Sequence, residues 1–318
     1  MGGPPASGKW VDPGRAGASG STPLLSRADL ALLCVSAIWG TTFALLRDSL
    51  RLIHPAELMA IRFSLAALLL AVLFPKAMRA ARPALVPGIW LGLWLTAGYF
   101  AQVMGLMTIT ASRSAFITST YILFTPFLAI PLARAYPGIG EILGVALGFT
   151  GILLFSADVG FSLRAGDLWT LGCALAFGIQ IVVTNIVAKK HEPIALSVIQ
   201  MAVAALAGWT VVVLRGGFGT PLGSIPWGVL IYLAVIATAL VIALQTWALA
   251  RTTPVKAAVL FSTEPIFAAL FAVAFFGEGM TTREVIGGAV ILFGVFVTEL
   301  WRPVMERLSK HTEPRRAV

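Results

Sequence analysis

Apolar residues run along most of this chain in long blocks, and charges fall almost only between them. The charge-free stretches are residues 30–46, 63–75, 83–112, 114–133, 142–157, 168–188, 193–214, 216–250, 265–277 and 285–298. A bilayer core of about 30 Å is crossed by about 20 apolar residues in helical form, because each backbone polar group must be satisfied within its own segment. With Arg62 and Glu264 admitted inside two of the blocks, the pattern predicts ten helices. Their limits are 29–47, 56–75, 88–108, 114–133, 139–157, 167–187, 194–214, 226–249, 256–276 and 284–301. Pro75, Pro83, Pro87, Pro137-Gly138, Gly216-Gly217 and the run from Pro221 to Pro226 punctuate them. The expected fold class is therefore an all-α membrane protein.

Composition removes the alternatives. Hydrophobic residues are 58% of the 318 and charged residues 12%, with a net charge of +9. An ordinary soluble domain carries about twice that charged fraction. The excess of Lys and Arg does not gather on one surface, as nucleic-acid binding requires. It punctuates the apolar segments instead, and so sets orientation. With both termini on one side, sixteen basic residues fall on that side, among them Arg27, Lys76, Arg134, Lys189, Lys190, Lys256 and Arg302. Six fall on the other: Arg47, Arg51, Arg113, Arg164, Arg215 and Arg283. Both termini are expected in the cytoplasm, with the chain in the cell (inner) membrane. Residues 1–28, rich in Gly, Pro, Ala and Ser, read as a disordered cytoplasmic tail, and 302–318 as a basic tail near anionic headgroups. Cys34 and Cys173 lie in apolar runs and read as small core residues.

The two halves correspond in order. Trp39-Gly40 matches Phe177-Gly178, Pro55 matches Pro193, and Ala66-Ala67-Leu68 matches Ala204-Ala205-Leu206, each 138 residues apart. Pro126 matches Pro265 at 139, while Glu141, Gly144 and Gly151 match Glu284, Gly287 and Gly294 at 143. Collinear matches with so small a drift indicate an internal duplication, with five-helix repeats over 29–157 and 167–301. Five is odd, so the second copy enters the membrane inverted. Inverted repeats are the common plan of secondary transporters, whose site lies near the midplane between them.

The segment Ala37-Ile38-Trp39-Gly40-Thr41-Thr42-Phe43 resembles the opening of an EamA domain of the drug/metabolite transporter superfamily. So does His54-Pro55 followed by Arg62-Phe63. Ser114 to Ile117 through Thr125-Pro126, and Ala257-Ala258 through Glu264-Pro265, resemble the fourth and ninth helices of that family, and Phe276-Gly277-Glu278 its next turn. Gly144 with Gly151, and Gly287 with Gly294, resemble the fifth and tenth. Two copies in order carry the specificity. The chain departs from the pattern at Arg134-Ala135, where the family carries a Gly-Glu turn, and at Gln200, where the first copy has Arg62. The resemblance implies ten helices in two inverted repeats, and export or exchange of amino acids, related metabolites or amphipathic drugs.

No pattern for an enzyme, cofactor or metal is present. HExxH and GxxxxGK[ST] are absent, and His54, His191 and His311 all lie in loops or a tail. Transport would then run on a gradient or by exchange. Arg62, a cation within the second helix, is a candidate to attract a substrate carboxylate, against a role bracing neighbouring carbonyls. Glu264 is the one carboxylate deep in a helix, and is the candidate for substrate binding and for coupling to protons. Pro265 and Pro126 withhold donors from the carbonyls of Phe261 and Ile122, so kinks are expected there. The resemblance places the cavity among the third, fourth, eighth and ninth helices, which makes Tyr99, Gln102, Tyr121 and Gln245 candidate polar contacts to a small-molecule substrate; Trp39 is a candidate aromatic wall, with Phe100, Trp247 and Phe267 as further walls. Gln180, Asn185 and Gln200, also at membrane depth, read more simply as interhelical bonds. The expected function is a secondary exporter of small amphipathic metabolites. The rivals are a sugar or nucleotide-sugar-like permease and a non-transporting scaffold subunit.

Overall fold

The computed structural model describes residues 25–79, 81–155, 164–276 and 281–312. Among these residues the regular structure is entirely helical. The first crossing comprises α1 (Arg27–Gly40) and α2 (Thr42–Ser49), the second α3 (Pro55–Leu73), followed by the short α4 (Pro75–Arg79), and the third α5 (Leu85–Leu106). The fourth is split into α6 (Ala111–Ser119) and α7 (Tyr121–Ala133), and the fifth is α8 (Ile139–Phe155). The second half continues with α9 (Ala165–Val187) and α10 (Pro193–Leu214). Its eighth crossing holds α11 (Trp227–Ala234), a π-helical turn (Val235–Leu240) and α12 (Val241–Leu249). The ninth is split into α13 (Pro254–Phe261) and α14 (Glu264–Phe276), and the tenth is α15 (Thr282–Thr312). Among the described residues, nine of the crossings are long and apolar enough to span a membrane, and Ile139–Leu154 is a shorter apolar helix.

Helix packing follows the duplication. The first crossing packs on the eighth and ninth, and the third and fourth pack on the sixth in the matching way. The second pairs with the seventh and the fifth with the tenth, each with its own counterpart. Small residues make the last pair possible. A Cβ on Gly144 would lie 1.8 Å from Thr298 Oγ1 and 3.1 Å from the Gly294 carbonyl, so α8 and α15 touch backbone to backbone. Outward-facing Trp90, Phe127, Leu206 and Phe293 form part of an exposed apolar surface suited to lipid. Cys173 is buried, but Cys34 is exposed, so only one of the two cysteines is the core residue expected.

The helix ends correct the sequence reading in three places. The first helix begins at Arg27, not 29, because Ser26 and Asp29 form a capping box: Ser26 N donates to Asp29 Oδ2 at 2.8 Å and Asp29 N to Ser26 Oγ at 3.2 Å. Residues 25–28 therefore belong to ordered structure, and residues 1–24 of the expected tail lie outside the described residues. The tenth helix does not stop at 301 but continues to Thr312, through Pro303 and a run of good helix formers. The fourth crossing breaks at Thr120, six residues before Pro126, which lies inside α7. By contrast, Pro265 stands at the expected discontinuity, as the second residue of α14, where its missing N–H removes no helical bond. The Phe261 carbonyl near it is satisfied from another crossing, by Ser36 Oγ at 3.2 Å. Of the Phe276-Gly277-Glu278 turn, Gly277 and Glu278 lie outside the described residues.

Candidate functional site

Both interrupted helices, α6/α7 and α13/α14, bring their breaks to the middle of the protein. Gly40 lets the first crossing close on the second break. A Cβ there would stand 2.8 Å from Ala268 N and 3.0 Å from the Glu264 carbonyl, so only glycine permits this approach. Between these elements and α5, α9 and α12 lies a narrow cavity of about 30 Å³. Trp39, Tyr99, Gln102, Tyr121, Gln245 and Glu264 all line it. Six of the seven residues marked from sequence as substrate contacts are thus brought together.

The seventh is not. Arg62 is buried at 2% exposure, but its donors point to the π-helical turn: Nε to Thr238 Oγ1 at 2.6 Å and Nη2 to the Ala237 carbonyl at 3.3 Å. Its guanidinium lies 4.9 Å from the centroid of the Tyr99 ring and 5.6 Å from that of Phe63. A π-turn leaves carbonyls outside the regular ladder, and Arg62 serves them; it stands behind Tyr99 and is not a lining residue. Phe100, Trp247 and Phe267 do not line the cavity either. Phe100 is exposed against Trp169, and Trp247 carries the Arg251 guanidinium at 4.4 Å.

The sequence reading missed Phe177, which corresponds to Trp39 in the other copy, and Phe261. Both are cavity walls. Tyr99 meets Phe177 edge-on at 5.3 Å, and Trp39 and Tyr121 flank Phe261 at 5.7 and 6.4 Å. It also ranked Gln180 too low. Gln245 Nε2 donates to Gln180 Oε1 at 3.4 Å, Gln180 Nε2 to Gln200 Oε1 at 3.1 Å, and Gln200 Nε2 to Thr246 Oγ1 at 3.3 Å. Thr246 then donates to the Ile242 carbonyl at 2.7 Å. Around the cavity, Trp39 Nε1, Tyr121 Oη and Gln245 Oε1 are buried without a hydrogen-bond partner in the protein. Glu264 is 4% exposed, and among the described residues no basic side chain forms an ion pair with it.

Two ion pairs join the repeats at opposite ends of the helices that bound the cavity. Arg113, in the first turn of α6, donates from Nε to Asp167 Oδ1 at 2.5 Å and from Nη2 to Oδ2 at 2.8 Å; Asp167 sits in the first turn of α9. Lys256, in the first turn of α13, reaches Asp29 in the first turn of α1 at 3.0 Å, and Glu299 on α15 at 2.8 Å. Asp29 and Asp167 are 138 residues apart, and Arg113 and Lys256 143 apart, the same offsets that relate the two copies. Each aspartate also caps its own helix, accepting from Ser26 N and from Arg164 N. The pairs are one arrangement, used twice.

Comparison with known proteins agrees with this architecture. Residues 26–157 and 164–300 each match the EamA-like transporter family. An "uncharacterized transporter" of Archaeoglobus fulgidus is 31% identical over 277 residues, 86% of this chain and 86% of its own. A WAT1-related chloroplastic protein of Arabidopsis thaliana is 26% identical, over 81% of this chain and 66% of its own length. A crystal structure at 20% identity superposes with a TM-score of 0.72, covering 87% of this chain and 98% of the other, and shows the same fold. On the family matches and the Archaeoglobus fulgidus relative together, the chain is a multi-pass membrane transporter belonging to the EamA-like family of the drug/metabolite transporter superfamily.

Proposed function

We propose that this transporter exports small amphipathic metabolites or drugs, amino acids among them, from the cytoplasm by alternating access. The observation that carries this reading is the cavity. Trp39 Nε1, Tyr121 Oη and Gln245 Oε1 are buried and unpartnered beside a carboxylate. Buried polar groups of this kind are met by water or by a ligand, so a guest with matching polar groups can take up these contacts.

The paired ion bridges supply the alternation. Each holds a helix of one copy to a helix of the other, Arg113 with Asp167 at one end and Lys256 with Asp29 at the other. Sixteen basic residues against six support an orientation with the Lys256 end toward the cytoplasm and the Arg113 end outside. Releasing one bridge while the other holds opens the cavity to one face at a time. Glu264 is the group through which protons would be exchanged for substrate. The test is counterflow in proteoliposomes of the full chain against a metabolite panel. Labelled substrate should accumulate transiently when unlabelled substrate is preloaded. No counterflow for any member, at confirmed reconstitution, contradicts transport.

A further inference from the structure

Resting on the transport reading, the cavity also carries information on charge. Five of its walls are aromatic (Trp39, Tyr99, Tyr121, Phe177 and Phe261), and its one ionisable acid is Glu264; none of the lining residues is Lys, Arg or His. The nearest cation described above, Arg62, sits behind Tyr99 with its Nε and Nη2 committed to Thr238 and Ala237.

The glutamine chain makes the same choice by a different route. Ile242 offers a carbonyl, which can only accept, so Thr246 donates to it. The Thr246 hydroxyl, its proton used, then accepts from the Gln200 amide, which fixes Gln200 with its carbonyl toward Gln180. Gln180 is oriented in turn, and receives the Gln245 amide on its own carbonyl. The one donor that each amide commits to this chain runs away from the cavity, and the chain leaves an unpartnered acceptor there, Gln245 Oε1. Gln200 is the counterpart, 138 residues on, of Arg62. The duplication has thus diverged at this position into a brace in one copy and the centre of an acceptor-presenting relay in the other.

We propose that the site takes protonated amines: an apolar or aromatic body with an ammonium group that donates to Glu264 and Gln245 Oε1 inside the aromatic cage. Aromatic faces attract a desolvated cation, and the carboxylate neutralises it. A carboxylate guest finds only neutral donors, among them Trp39 Nε1, Tyr121 Oη and the Gln102 amide, and places a second negative charge near Glu264. A zwitterion falls between the two.

Four probes of one shape test this: phenethylamine, phenylalanine, phenethyl alcohol and 3-phenylpropionate, titrated calorimetrically into the detergent-solubilised full chain. Phenethylamine should bind at least tenfold more tightly than 3-phenylpropionate, with phenylalanine between. Glu264→Gln should remove most of the amine's advantage over the alcohol. Gln200→Leu, which breaks the relay without touching the cavity, should lower that advantage several-fold while the alcohol changes less than twofold. Equal or tighter binding of 3-phenylpropionate overturns the proposal. So does an equal loss for all four probes in both variants. Amine-selective binding with no counterflow would leave the charge class standing and sink the transport reading, whereas counterflow of carboxylates alone would do the reverse.

Discussion

Replacing Arg62 by Met separates bracing from substrate recruitment. The side chain makes two bonds to the eighth crossing, and Met matches most of its apolar length. Thr238 loses its guanidinium partner but keeps its own bond to the Leu233 carbonyl at 2.7 Å, so its hydroxyl is not orphaned. The Ala237 carbonyl loses the Arg62 donor, and an unmet buried acceptor costs about 1–3 kcal/mol. Loss of the guanidinium over Tyr99 adds about 0.5–2 kcal/mol. Together these losses are about 1.5–5 kcal/mol, and relief of the buried charge's desolvation returns part of them, so the net change should be a modest destabilisation of about 1–3 kcal/mol. Thermal unfolding in detergent should show it as a lower midpoint. Binding measured with the amine and carboxylate probes should weaken or hold for both together, because Arg62 does not face the cavity. If instead Arg62→Met keeps its melting midpoint and selectively loses acidic or zwitterionic ligands, the guanidinium reaches substrate and the bracing role is wrong.

Other substitutions test the frame around the site. Arg134 holds φ at 50° as the C-cap of α7, a left-handed position that suits glycine. Arg134→Gly should therefore raise stability by about 1 kcal/mol, read as a higher melting midpoint, and a lower midpoint would contradict the strain. Gly144→Leu should force α8 from α15 and cost more than about 2 kcal/mol, while Gly138→Ala, with open space around it, should be near neutral; similar stability of the two variants would refute the close contact. His54 accepts the Ala56 N–H at Nδ1, which only the neutral ring can do. Burial first, and Arg215 second, hold its pKa below the ordinary imidazole value. The unfolded chain then binds the proton more readily, so this stabilisation is complete above about pH 6.5 and is lost as pH falls from there. His54→Asn should flatten that part of the pH–stability curve, and an unchanged slope would assign it elsewhere.

Much of this architecture was legible in the sequence because a bilayer leaves helices few alternatives. Ten apolar blocks gave ten crossings, and Trp39, Tyr99, Gln102, Tyr121, Gln245 and Glu264 stood out as polar or aromatic groups at membrane depth. Depth was readable for Arg62, but direction was not. A helix apolar on all sides has no polar face to fix its rotation, so its side chain could not be aimed. The π-helical turn it braces is spelled Val-Ile-Ala-Thr-Ala-Leu, which carries no signal for an extra residue per turn. The break at Thr120 was hidden for a related reason, since Pro126 drew attention six residues downstream. The ion bridges were legible and missed. Extending the same offsets to charged residues pairs Asp29 with Asp167 and Arg113 with Lys256, and only their first-turn positions were needed to suggest helix-end contacts.

Alternation between the two bridges is the central claim, and sided accessibility tests it most directly. With Cys34 and Cys173 replaced by Ala, a single cysteine at Thr42, on the cavity wall, is labelled by an impermeant maleimide applied to either face of the membrane. Arg113→Met leaves Asp167 without its ion partner, and Lys256→Met does the same to Asp29 and Glu299. Breaking the buried Arg113–Asp167 pair costs about 3 kcal/mol or more, which shifts an open–closed equilibrium about a hundredfold, and breaking the part-exposed Lys256 pairs costs less. The account predicts that Arg113→Met raises labelling from the outside alone and Lys256→Met from the cytoplasmic side alone. Increases on the same face for both variants, or on neither face, would contradict it.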